Sequence, residues 1–65
     1  MSPVELLQDE LKYLKESYES RKEVIETFKC TEENKFYYER VVKKANSLEE
    51  MIKRYEKAID ILKEN

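Results

Sequence analysis

The chain contains no glycine, no histidine and no tryptophan, and its 65 residues include one proline and one cysteine. Each absence excludes something. Without histidine, zinc sites of the Cys/His kind are ruled out within one protomer, as are Ser-His-Asp and Cys-His nucleophiles. The single thiol, Cys30, has no partner for an internal disulfide, which fits a reducing compartment. Apolar runs are two or three residues long, too short for a transmembrane helix or a signal-peptide core. With no glycine and a lone proline at position 3, little in the chain interrupts a helix.

Charge is abundant but balanced. Charged residues make up 43% of the chain, yet the formal net charge is −2. A dedicated nucleic-acid or anionic-membrane binder normally carries a basic excess. The composition therefore predicts an all-α, cytoplasmic protein that does not engage membranes. No catalytic residues, metal ligands or cofactor site are expected.

Helical periodicity begins at once. Ser2 suits an N-cap, Pro3 the first helical position, and Glu5 completes a capping box with Ser2. A heptad repeat, with positions named a to g, follows. Val4, Leu11, Tyr18 and Ile25 take a; Leu7, Leu14, Arg21 and Phe28 take d. Only Arg21 breaks the apolar seam, and its stem can lie along it with the charge outside. In the second half Tyr38, Ala45, Ile52 and Ile59 take a, while Val41, Leu48, Tyr55 and Leu62 take d.

The two repeats are out of step. Ile25 and Tyr38 are 13 residues apart, one short of two heptads. On a continuous helix that slip turns the apolar stripe by about 100°. The slip falls within FKCTEENKFYY, where Thr31 can cap a helix and Glu32 and Glu33 then suit its first turn. Lys29 would end the first helix, and Asn34 could instead supply a left-handed turn residue. The reading is a single domain over 1–65: a helix over 3–29, a bend over 29–34 and a helix over 32–64, folded antiparallel. Two alternatives stay open. One is a single helix of about 90 Å. The other is a third helix starting at Ser47, which forms a capping-box pattern with Glu50.

A second stripe lies beside the seam, at c and g. The first helix carries Leu6, Tyr13 and Val24 there, with Ser17, Ser20 and Thr27; the second carries Tyr37, Met51, Ala58 and Ile61, with Ser47. A two-stranded coil needs only a and d, whereas helices of larger bundles have a wider apolar face. Chains this short also bury little core alone. Self-association of the hairpin into a four-helix bundle is therefore expected, through Leu6, Tyr13, Val24, Tyr37, Met51, Ala58 and Ile61. That shape resembles the small plasmid RNA-regulator proteins, which dimerise as helical hairpins; the resemblance is of architecture, with no shared motif.

Function is expected to be non-catalytic: a small homodimeric regulator, adaptor or inhibitor that binds another protein through an exposed helix face. Phe36, Tyr37, Arg40, Lys44 and Arg54 are the candidate partner-binding residues. Consecutive aromatics on a helix point in different directions, and exposed aromatics are enriched at interfaces. Arg40, Lys43 and Lys44, then Lys53, Arg54 and Lys57, form a basic stripe diluted by Glu39, Glu49, Glu50 and Glu56. That stripe supports an alternative, a nucleic-acid-binding regulator. An assembly or scaffolding subunit is a further alternative. The i,i+4 pairs Glu39–Lys43, Glu49–Lys53 and Glu50–Arg54 read as a solvated face.

Overall fold

The computed structural model describes residues 2–64 as two α-helices packed against each other, α1 (Pro3–Thr27) and α2 (Lys35–Glu64). The hairpin is a rod of 51 × 16 × 14 Å. A continuous helix is thus excluded. So is a third helix at Ser47, because α2 runs unbroken through that position. With no slip in the a/d pattern there, the internal Ser47–Glu50 motif has no break to cap.

The start of α1 forms as its sequence dictates. Ser2 is extended and its Oγ accepts a hydrogen bond from the Glu5 N–H at 3.2 Å. Pro3 follows at the first position, where its missing N–H costs nothing. The other end differs from expectation. α1 stops at Thr27, two residues early, and Phe28 is extended while its N–H still donates to the Val24 carbonyl at 2.8 Å. Thr27 Oγ1 donates to the Glu23 carbonyl at 2.7 Å, so the hydroxyl shares an acceptor in the last turn. Lys29 consequently lies in the loop and not in a helical last turn.

The loop is organised by Asn34. Its Oδ1 accepts from the Thr31 N–H at 2.7 Å, and its Nδ2 donates to the Lys29 carbonyl at 3.0 Å. The Asn34 N–H also donates to the Thr31 carbonyl, closing a turn over 32–34. Half of a capping box is therefore present, with the short amide of Asn34 in the place usually held by Glu or Gln. This turn replaces the helical start expected at 32, and α2 begins at Lys35 with Tyr38 donating to the Asn34 carbonyl. Glu32 and Glu33 precede the helix instead of filling its first turn. No described residue has positive φ, so Asn34 does not act as a left-handed residue. Side-chain hydrogen bonds turn the chain where glycine is absent.

The heptad seam becomes the interface between the helices. Leu14, Ala45, Leu48 and Ile59 are buried, and Val4, Leu7, Leu11, Tyr18, Ile25, Tyr38, Val41, Ile52 and Tyr55 are half-buried. Phe28 and Leu62 depart from the seam's burial, at 39% and 40% exposed. Both sit at a seam end, where a neighbouring layer is missing on one side. Arg21, the seam's one cation, is half-buried, and its Nη1 donates to the Ser17 carbonyl at 3.1 Å. The seam thus tolerates it by bending the head back onto its own helix.

The prediction from this geometry concerns Asn34. Replacing it with alanine removes two side-chain hydrogen bonds, at a cost of about 1–2 kcal/mol. Thermal unfolding of Asn34→Ala should fall by roughly 5–10 °C, given the few degrees per kcal/mol typical of small domains. Asn34→Asp, which keeps the acceptor and loses the donor to Lys29, should fall less. An unchanged melting curve for the alanine variant would mean the bend is held by something else.

Candidate functional site

Helix geometry sorts the exposed residues into two faces. The g position lies about 90° from the centre of the a/d seam. In an antiparallel pair the g positions of both helices fall on one face of the hairpin, and the e positions on the other. The ion pair between Lys15 Nζ and Glu56 Oε2, 3.8 Å apart, joins two e positions across the second face. With the i,i+4 pair Lys53–Glu49 at 3.6 Å it is solvent-exposed and adds little stability. Its value here is as a marker of register.

The e face is polar apart from Val42. The c/g face is not. Leu6, Tyr13, Tyr37, Met51 and Ile61 are all exposed on it, Tyr13 at 66%. Of the seven residues expected to mediate self-association, Val24 and Ala58 stand apart, because each is half-buried within one hairpin. They pack beside the seam and have less surface left to offer. The remaining apolar residues run from the open end, where Leu6 of α1 lies level with Ile61 of α2, to the middle of the rod, where Tyr13 and Met51 lie. Tyr37 is the exception, near the bend.

At the bend, aromatic side chains form a second feature. The rings of Phe28 and Tyr37 meet edge to face, with centroids 5.5 Å apart and planes at 63°. Such a pair is worth about 0.5–1.5 kcal/mol beyond its burial. Phe36, one residue away, turns outward and is 79% exposed. It is the most exposed large apolar side chain described.

The basic candidates divide. Arg40 and Lys44 line an open groove beside Tyr37 and Ser47, together with Lys43. Arg54 lies ten residues beyond Lys44, about 15 Å along the helix, and does not join them. The groove contains a residue not assigned to the basic stripe on sequence grounds: Arg21, contributed by α1. Four cations therefore line one groove with no acid among its lining residues. A seam position held by an arginine, level with a basic run on the paired helix, was the available signal.

Cys30 is exposed in the loop. Among the described residues no group of three or more His, Cys, Asp or Glu is arranged to hold a metal ion. No described helix is long and apolar enough to cross a membrane. Comparison with known protein families, with curated proteins and with solved structures finds no match.

The groove leads to a prediction about Arg21. Leucine at this d position completes the apolar seam, so Arg21→Leu should keep the fold and melt at an equal or higher temperature. Removing one of four clustered cations should also lower the salt concentration at which the protein leaves a polyanionic heparin matrix. Elution unchanged from the wild type would show that Arg21 does not act with the α2 cations.

Proposed function

We propose that this chain is a non-catalytic interaction module, a small homodimeric regulator, adaptor or inhibitor that binds another protein at its bend end. The observation that carries the reading is the exposed aromatic cluster there, with Phe36 standing clear of the hairpin's own packing. Exposed aromatic rings are enriched at protein interfaces, and Phe36 stands next in sequence to the packed Phe28–Tyr37 pair. Arg40, one turn along α2 from Phe36, supplies a polar contact at the rim.

Self-association is supported by surface area. One hairpin exposes 5471 Å², whereas a folded monomer of this mass exposes about 4,400 Å². The surplus, roughly 1,000 Å², is comparable to what one partner contributes to a standard interface, about 800 Å². A thin rod has too little interior, and covering the apolar c/g face with a second copy supplies it.

A second reading has its own observation. The groove formed by Arg21, Arg40, Lys43 and Lys44 is a concentrated positive site that suits a phosphate backbone. Under this reading the protein is a nucleic-acid-binding regulator. A titration with RNA and DNA at several salt concentrations separates the two, because phosphate binding falls steeply with salt.

Two outcomes are expected from the leading reading. Tyr13→Lys with Met51→Lys alters residues exposed in the hairpin, so for a monomer the cost is within the ±0.5 kcal/mol usual for surface changes. The dimer should instead dissociate, with sedimentation falling to one hairpin and the concentration dependence of the wild-type melting temperature disappearing. Separately, Phe36→Ala should leave the melting temperature within a degree or two while eliminating a protein partner captured by the wild type. Retention of that partner by the alanine variant would remove Phe36 as the anchor.

A further inference from the structure

We infer that the c/g face accepts a second copy in one arrangement: α1 of each hairpin lies against α2 of the other, with both bends at the same end. This rests on the dimeric reading above and adds its geometry. The warrant is the charge along the two edges of that face.

Along α1, the described c, f and g positions carry four charges, Asp9, Glu10, Glu16 and Glu23, and no cation. The same positions of α2 carry five cations, Arg40, Lys43, Lys44, Arg54 and Lys57, against Glu50 and Glu64. One edge of the face is acidic and the other basic. The f side chains point away from the paired helix, so these edges cannot neutralise each other within one hairpin.

Two hairpins stacked face to face on a two-fold axis have two simple arrangements. If the axis runs along the rod, α1 lies over α2 of the second copy and the bends share an end. If it runs across the rod, α1 lies over α1 and the bends are at opposite ends. The first brings acidic edge to basic edge twice; the second brings like charge to like charge twice. Like charges juxtaposed across an interface oppose association.

Register agrees with the first arrangement. The groove places Arg21 beside Lys43 and Lys44, the Phe28 ring meets Tyr37, and Lys15 reaches Glu56. Glu23 is therefore level with Lys43 and Lys44, and Asp9 and Glu10 are level with Arg54 and Lys57. A two-fold axis along the rod keeps those levels, so acids and bases meet in the second copy without sliding. The apolar residues add to this only at the open end. Leu6 and Ile61 meet their counterparts when both open ends coincide, whereas Tyr13 and Met51 lie near the middle of their helices and meet in either arrangement.

The native Cys30 tests this without a mutation, since it is the sole thiol, is exposed and marks the bend. Spin labels on Cys30 of two copies should give an inter-copy distance under about 30 Å, because bundle helices sit only 8–10 Å apart. A distance near the 51 Å length of the rod would overturn the arrangement and leave the dimer standing. A chain that sediments as a monomer with no inter-copy coupling would overturn both. Glu23→Lys supplies an independent sign. It should raise the dimer dissociation constant about tenfold, and adding Lys43→Glu and Lys44→Glu should restore most of the affinity. With bends at opposite ends Glu23 would face Asp9 and Glu10 of the second copy, and the same substitution would tighten the dimer. Tightening, or no change, overturns the inference.

Discussion

Everything in this hairpin depends on one narrow strip of apolar contact between α1 and α2. Four side chains in it are buried, Leu14, Ala45, Leu48 and Ile59, and the remainder of the seam is shared with water. A layer two helices thick has no true interior, because each helix has a neighbour on one side only. That limitation explains why half-buried tyrosines suit the seam: each ring fills the layer while its hydroxyl reaches solvent. It also explains why Arg21 is tolerated at a d position, where a deeper core would strand the charge. The same shortage of interior leaves the apolar c/g face uncovered in one hairpin.

The bend is the other constraint. Without glycine, the chain turns through side-chain hydrogen bonds, with Asn34 holding both Thr31 and Lys29. This sets the register between the helices, and register then decides which charges are level. Glu23 is level with Lys43 and Lys44 because the loop has the length it has. A loop that moved α2 by one turn would displace the basic run by about 5.4 Å along the rod. Loop chemistry and the charge pattern of the face are thus linked, although they lie on different parts of the chain.

The proposed functions share a surface and compete for it. In the proposed dimer Lys43 and Lys44 would meet the acidic edge of a second copy; in the nucleic-acid reading they would stay open to a phosphate backbone. A same-end dimer also places both Phe36 side chains at one end of the bundle, which suits bivalent capture of a protein partner. The apolar contact would run from the open end to the middle of the rod, with recognition at the bend end.

Much of the architecture was legible from residue spacing. The a and d positions from Val4 to Leu62 identify the side chains that pack, and the one-residue slip between Ile25 and Tyr38 locates the bend. Ser2 and Pro3 mark the start of α1. These features are local or periodic, so the chain's own order determines them. Helix ends near the bend were less legible, because Asn34 bonds across the loop to Lys29 and Thr31, and only a folded loop brings those atoms together. The apolar c/g stripe was likewise visible, but its division was not: Val24 and Ala58 are half-buried within one hairpin, while Tyr13 and Leu6 are exposed. Burial depends on how closely the partner helix passes, which no repeat encodes. Nor could spacing alone join Arg21 to Lys43 and Lys44. They are more than twenty positions apart in the chain, and only the antiparallel register sets them beside one groove.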